Sequence, residues 1–264
     1  MSLAEALLDL QELTRRLRQD CPWDREQTAR TIAPHTVEEA YEVADAAASD
    51  DDADLHGELG DLLFQVYFLS LLLEERGAGD LETVARDVHA KLVRRHPHVF
   101  GEADADTAGR VRERWEAIKT EQEGREGIFH EVPDALPALL QARKVQRRVA
   151  AVGYDWPDLE GPLAKLREEL GELSAAVEHA GAPPPETEPD AAVFHELGDL
   201  LFTVVNVARR LNVDPELALR ATNRRFVERV ERAAELAAER GEAWRTLDLE
   251  SQDRYYERAK LESA

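Results

Sequence analysis

The residues best suited to chemistry are carboxylates that recur in one spacing in two parts of the chain. The first copy comprises residues 38–42 (EExxE) and 58–61 (ExxD), and the second comprises residues 168–172 and 196–199. Within each cluster the acids are three or four residues apart, so on a helix they project from one side, one turn apart. Two such helices packed face to face would bring four carboxylates together.

A cluster of four carboxylates predicts a bound cation. Two carboxylates about 5 Å apart repel by roughly 3 kcal/mol at an effective dielectric constant near 20, and four acids contain six such pairs. Hard oxygen ligands without a nearby thiolate favour Mg²⁺ or Mn²⁺, and Mg²⁺ commonly combines a few carboxylates with water and substrate phosphates. We therefore predict a Mg²⁺ site, with Mn²⁺ as a substitute, and a phosphorylated substrate.

The second acid cluster of each copy lies at the start of an apolar helix. Residues 55–73 carry leucine and valine around most of a helical circumference, and residues 195–207 repeat this pattern. Because apolar residues cover most of their circumference, we expect both helices, and with them the acid clusters, to be largely buried. An uncompensated charge there would cost several kcal/mol, which indicates that the acids have a function. Gly60 and Gly198 recur at the same place and predict the close approach of a neighbouring helix.

The repeat also predicts the domain organisation. The two copies align at offsets of 130 and 138 residues, and the difference is absorbed by a proline-rich stretch at 181–190, which is typical of a loop. No alternating pattern of convincing length indicates a strand. We predict an all-α protein with two tandem helical-bundle domains, residues 1–125 and 136–264, joined by a connection that contains glycine and proline.

Composition narrows the class of protein. The 264 residues include 33 Lys plus Arg and 55 Asp plus Glu, for a net charge of −22, which opposes nucleic-acid binding. Cys21 is the single cysteine, so no internal disulfide can form and a reducing cytoplasm is expected. No apolar run approaches the roughly 20 residues of a membrane span. The sequence thus predicts a cytoplasmic protein that binds neither nucleic acid nor membrane.

Basic and aromatic residues also recur at matching offsets, which suggests a role in holding a triphosphate and a base. Taken singly, the basic residues are better explained by surface salt bridges, and only their repetition makes a role in binding equally favoured. Core packing explains either aromatic residue equally well. The candidates are Lys91, Arg95, Trp115 and Lys119 in the first half, and Arg225, Arg229, Tyr256 and Lys260 in the second.

Several stretches together resemble the MazG-type nucleoside triphosphate pyrophosphohydrolases over essentially the whole chain. They are CPWD at 21–24, TIAP at 31–34, GELGDLLFQ at 57–65, RRHPHVF at 94–100 and VGYDW at 152–156. The resemblance implies tandem all-α domains, an intertwined homodimer, Mg²⁺ dependence, and hydrolysis of NTPs or dNTPs to the monophosphate and pyrophosphate. Housecleaning of the nucleotide pool is the role we expect.

The resemblance also implies roles for individual residues, with the second half as the catalytic one. The metal ligands would be Glu169, Glu172, Glu196 and Asp199, with Glu39, Glu42, Glu58 and Asp61 as candidates in the first half. Substrate would contact Arg225, Arg229, Tyr256 and Lys260. As a hypothesis for the mechanism, separate from the resemblance, we expect Glu168 and Glu172 to be the catalytic carboxylates, with Glu38 as the counterpart of Glu168 in the first half. The family tends to have Lys at 225 and Trp at 256, so the base preference stays open.

Two other classes of protein compete with the enzyme. A di-iron carboxylate bundle also takes acids from facing helices, but it uses Glu-x-x-His pairs, and no histidine here follows a glutamate by three residues. A non-catalytic acidic scaffold that binds metal explains the charge without explaining why the acid pattern is duplicated. Nucleotide turnover with Mg²⁺ separates this scaffold from the enzyme.

Overall fold

The computed structural model describes residues 1–49, 51–101, 127–129, 132–181 and 188–263. The chain divides into two compact units, Met1–Arg125 and Glu126–Ala264. The described residues form helices and contain no strand, which confirms the all-α prediction. The domain limits drawn from the sequence remain a prediction.

The first unit is built around one long helix. Its helices are α1 (Leu3–Asp20), α2 (Pro22–Glu26), α3 (Ala29–Ser49), α4 (Asp52–Glu75), α5 (Leu81–Arg95) and α6 (Pro97–Phe100). Helix α4 packs against α1, α3 and α5. Asp51 begins α4 as its N-cap, because its side chain accepts hydrogen bonds from the backbone N–H groups of Ala53 and Asp54, at 2.9 and 3.1 Å.

The second unit repeats this plan. Its helices are α7 (Ala138–Ala151), α8 (Glu160–Ala180), α9 (Ala191–Arg210), α10 (Pro215–Ala238) and α11 (Leu249–Glu262), with a 3₁₀ turn at Trp244–Thr246. Helix α9 packs against α7, α8 and α10, and α10 packs against α11. Asp190 caps α9 as Asp51 caps α4. The α8–α9 pair therefore corresponds to α3–α4, and both pairs carry the acid clusters.

The expected burial of the two apolar helices is wrong along one face. Leu59, Leu63 and Val66 on α4 are 38 to 50% exposed, although Phe68 and Leu72 further along the helix are buried. Among the described residues, the helices that neighbour α4 cover only part of its circumference, and the apolar residues on the remaining side are exposed. The acid clusters lie at the exposed end of α4 and of its counterpart, and most of their side chains are likewise only partly covered.

The interpretation of Gly60 and Gly198 also fails in this structure. A Cβ built on either residue meets no atom of the described residues within 4 Å, so no helix in that part of the chain makes close contact there. Both glycines adjoin exposed apolar residues of their helices, Leu59 and Leu197. The two glycines thus lie on an exposed face of each helix and not on a packed one.

Helix α9 is an exception to the expectation that no segment reaches the length of a membrane span. By length and composition alone, its 20 residues are apolar enough to cross a membrane, and the core helix of a soluble protein can be as long and as apolar. Glu196 and Asp199 lie within this helix and group with a carboxylate of α8, an arrangement typical of a polar site.

Candidate metal centres

The second unit brings three of the predicted ligands together. Glu169 projects from α8, while Glu196 and Asp199 lie one turn apart on α9, and one carboxylate oxygen from each lies within 4.8 Å of the other two. The Glu169 side chain is 6% exposed, Glu196 is half-buried, and Asp199 is exposed. These three residues form the second acid cage, which opens to solvent on the Asp199 side.

Glu172 lies at the edge of the second cage. It is exposed, and its carboxylate is not part of the group of three. Partial desolvation, together with the negative charges of Glu169, Glu196 and Glu168, raises the pKa of Glu172 despite the opposing effect of Lys165. A carboxylate with a raised pKa next to a cation site is well suited to accept a proton from water.

A lysine pairs with the second cage, and the sequence reasoning missed it. The Nζ atom of Lys165 lies 2.7 Å from a carboxylate oxygen of Glu168 and 2.7 Å from one of Glu169. The carboxylates of Glu168 and Glu169 hold the pKa of this ammonium group above its ordinary value. The signal in the sequence was its position, three and four residues before these two acids on one helix.

The first unit contains an equivalent group. Glu39 on α3 and the pair Glu58 and Asp61 on α4 also have carboxylate oxygens within 4.8 Å of one another, and these three residues form the first acid cage. Glu42 lies close enough to Glu39 and Glu58 to act on the pKa of both carboxyl groups. Partial desolvation and the neighbouring carboxylates, including Asp61 and Glu42, raise the pKa of Glu39 and of Glu58. The acids of this cage thus repel one another and favour a cation or protons.

The donor set of both cages fits a hard divalent cation. All the donors are carboxylate oxygens, and neither group of three contains histidine or cysteine, which argues against the di-iron and thiolate alternatives. Two oxygens that both bind Mg²⁺ at about 2.1 Å are at most roughly 4.2 Å apart. The oxygens of each cage lie within 4.8 Å of one another, so small side-chain adjustments would let them hold such an ion.

The predicted phosphate and base contacts of the second half lie on α10 and α11. Arg225 donates to the Thr222 hydroxyl at 3.0 Å, Arg229 donates to Ser263 at 3.2 Å, and Lys260 pairs with Glu257. The Tyr256 ring is 5.8 Å from that of Phe226. No hydrogen bond or ion pair within the described part of the chain joins these residues to the second cage, so their role toward substrate remains a prediction.

The corresponding residues of the first half are only partly described. Lys91 and Arg95 lie on α5, which packs against α4, the helix that carries Glu58 and Asp61. Trp115 and Lys119 lie outside the described residues. The sequence predicted that an aromatic residue and a lysine four residues later lie on one helix. Within the described residues this can be examined only for Tyr256 and Lys260, which both lie on α11.

Comparison with known proteins shows which family the chain belongs to. A model of the MazG nucleotide pyrophosphohydrolase domain matches the chain twice, over residues 27–100 and 159–248. The chain belongs to the MazG family. Each matched segment contains one complete acid cage. The tandem MazG arrangement that the resemblance implied is therefore confirmed, as is the enzyme class, a nucleotide pyrophosphohydrolase.

Two full-length MazG relatives support the same conclusion. A nucleoside triphosphate pyrophosphohydrolase of Escherichia coli strain K12 is 40% identical over 263 residues, which cover 98% of both chains. A nucleoside triphosphate pyrophosphohydrolase/pyrophosphatase MazG of Thermotoga maritima is 41% identical over 260 residues, 98% of this chain and 96% of that protein. The likeness therefore spans both MazG copies.

Proposed function

We propose that this protein is a Mg²⁺-dependent nucleoside triphosphate pyrophosphohydrolase that cleaves NTPs and dNTPs between the α and β phosphates. The products would be the nucleoside monophosphate and pyrophosphate, in keeping with housecleaning of the nucleotide pool in the cytoplasm. The observation that carries the proposal is the second acid cage, with Glu169, Glu196 and Asp199 grouped within 4.8 Å in a segment matched by the family.

The chain would contribute ligands and a proton acceptor. Glu169, Glu196 and Asp199 would hold the cation, with Glu172 completing the set from its edge position. A bound Mg²⁺ would lower the pKa of the attacking water and neutralise charge on the leaving pyrophosphate. Glu172 or Glu168 would accept the proton of that water. Of the two, Glu172 is the better placed, because Glu168 is already paired with Lys165.

The substrate would extend from the second cage towards basic side chains. Arg225, Arg229 and Lys260 supply positive charge on α10 and α11 for the triphosphate, and Tyr256 offers a ring for the base. Lys91, Arg95, Trp115 and Lys119 would do the same in the first half if that half also binds nucleotide. Because Arg stands at 225 and Tyr at 256, we leave the preferred base open.

We also propose that the protein is a homodimer. Helix α9 exposes a stripe of apolar residues at helical spacing, Leu197, Leu201 and Val204, each 43 to 49% exposed. Leu59, Leu63 and Val66 on α4 expose the same stripe. Apolar stripes duplicated in this way are what a self-complementary interface between two copies would bury.

The deciding experiment is a product assay. Purified protein is incubated with each standard NTP and dNTP and Mg²⁺, and the products are resolved. We expect monophosphate and pyrophosphate, with turnover lost on adding EDTA. The assay must also score orthophosphate, because the Thermotoga maritima relative is named a pyrophosphatase as well. Diphosphate and orthophosphate as first products would contradict the proposal, and no turnover by metal-bound protein would favour the acidic scaffold.

A pair of matched variants locates the activity. We expect Glu172→Ala to lower turnover by at least about a hundredfold, because it removes both the carboxylate at the edge of the second cage and the favoured proton acceptor. Glu42→Ala, the same change at the matching position of the first half, is expected to leave most of the turnover. Circular dichroism checks that both variants keep their helices. Loss of turnover in Glu42→Ala alone would move the active site to the first unit.

A further inference from the structure

We infer that Lys165 acts as a resident counter-ion of the second acid cage and weakens metal binding there in the nucleotide-free protein. The two cages would then differ in metal affinity, with the first cage binding the ion more tightly. This inference rests on the proposed metal sites and adds a residue to which neither the family match nor the names of the relatives assign a role.

The contacts of Lys165 are those of a bound cation. Its ammonium group lies 2.7 Å from a carboxylate oxygen of Glu169, the most deeply buried ligand of the cage, and the same distance from Glu168. Its charge also acts on Glu172. A divalent ion that enters the cage must therefore share Glu169 with an ammonium group or displace it, and the two positive charges repel at this range.

The first cage has a different residue at the equivalent position. Lys165 precedes Glu168 and Glu169 by three and four residues, and His35 precedes Glu38 and Glu39 by the same numbers. The His35 ring nitrogen lies 3.7 Å from Glu38, further than the lysine contact. In the described part of the chain no lysine or arginine forms an ion pair with Glu39, Glu58 or Asp61.

The difference between Lys165 and His35 should make metal occupancy depend on substrate differently in the two halves. The first cage offers its carboxylates to a free ion. The second cage is already partly neutralised, so it would retain the ion best when a polyanionic nucleotide shares it, as Mg²⁺ commonly binds through both carboxylates and substrate phosphates. Metal occupancy of the second half would thus depend on substrate more strongly than that of the first.

The test is a Mn²⁺ titration of the nucleotide-free full-length protein, with free Mn²⁺ measured by electron paramagnetic resonance. We expect two classes of site. Glu58→Gln should remove the tighter class and Glu196→Gln the weaker one. Lys165→Met should strengthen the weaker class by about tenfold, since it removes a positive charge next to the ion. Lys165→Arg, which keeps the charge, should resemble the wild type.

A reciprocal variant tests the same idea in the first unit. His35→Lys places an ammonium group three and four residues before Glu38 and Glu39, so it should weaken the tighter class. Equal affinities in the wild type, no tight binding at the first cage, or an unchanged weaker class in Lys165→Met would each overturn the inference. Circular dichroism confirms that the variants fold.

Pyrophosphate release by the same wild-type preparation keeps the two proposals apart. A protein that releases pyrophosphate but shows no effect of Lys165→Met on Mn²⁺ binding overturns the inference alone. A protein that shows the asymmetry but releases pyrophosphate from no nucleotide overturns the proposed function, while the electrostatic role of Lys165 stands.

Discussion

The ion pairs of this protein differ in how much they contribute to the free energy of unfolding, because a more buried pair is less screened by water. Arg18 is 17% exposed, and it donates to both carboxylate oxygens of Glu75 at 2.8 and 2.9 Å and to the backbone carbonyls of Asp24 and Gln27. It also lies over the Phe68 ring. One side chain thus joins α1, the α2 turn and α4.

We expect Arg18→Ala to lower the free energy of unfolding by about 2 to 3 kcal/mol, because it leaves two carbonyls and a carboxylate without their donor. Arg16→Ala is the matched control on the same helix. Its pair with Asp20 is about three-quarters exposed, at 79 and 70%, so the change should cost only a few tenths of a kcal/mol. Urea unfolding followed by circular dichroism measures both, and equal losses would contradict the assigned role of Arg18.

The same pair predicts a pH dependence. The hydrogen bond from Arg18, reinforced by its charge, holds the pKa of Glu75 below its ordinary value. A carboxylate with a depressed folded-state pKa contributes stability above its unfolded pKa of about 4.3, and that stability is lost as the pH falls through the folded value. The stability difference between wild type and Arg18→Ala should therefore be full at pH 7 and shrink below about pH 4. Unfolding curves recorded across this range check the direction.

Helix α8 contains two glycines, Gly161 and Gly171, whose surroundings differ, so the same substitution should affect stability differently at each. A Cβ at Gly161 would lie 2.2 Å from the Trp156 ring, whereas a Cβ at Gly171, in the middle of the same helix, meets nothing within 4 Å. Gly161 thus allows the tryptophan of the preceding loop to pack on the start of α8. The loop is also held by Asp155, which pairs with Arg209 and Arg210 at the end of α9.

Alanine at these two positions should act in opposite directions. Gly161→Ala should destabilise the protein by about 1 to 3 kcal/mol, because the indole must move. Gly171→Ala should stabilise it by about 0.5 to 1 kcal/mol through helix propensity. Thermal unfolding measures both, and tryptophan fluorescence should change only in Gly161→Ala. Destabilisation by Gly171→Ala would mean that another surface covers this face of α8.

For the whole molecule, the decisive feature is the pair of exposed apolar stripes on α4 and α9. If they form the proposed dimer interface, analytical ultracentrifugation should give a mass twice that of the chain, which is 29.7 kDa. Leu201→Glu should shift it towards the monomer, because a charge cannot be buried there without a partner. Leu261→Glu, at an exposed leucine outside the stripes, is the control and should leave the mass unchanged. A monomeric wild type would contradict the dimer.

The sequence by itself determined the features that depend on short-range spacing. Acids three or four residues apart share a helix face whatever the helix packs against, so the two cages, their helices and the tandem repeat could be read directly. The signature stretches made the family recognisable for the same reason. The spacing of Lys165 from Glu168 and Glu169 is equally visible in the sequence, but spacing alone does not distinguish it from an ordinary surface pair.

Only the tertiary structure decided what depends on packing between helices. The distance from α8 to α9 determines that Glu169, Glu196 and Asp199 meet while Glu172 stays at the edge. The arrangement of the described helices around α4 and α9 leaves their apolar stripes exposed, although the sequence pattern favoured burial. Helical periodicity specifies which residues share a face, whereas the position and number of neighbouring helices determine whether that face is covered and which side chains meet across it.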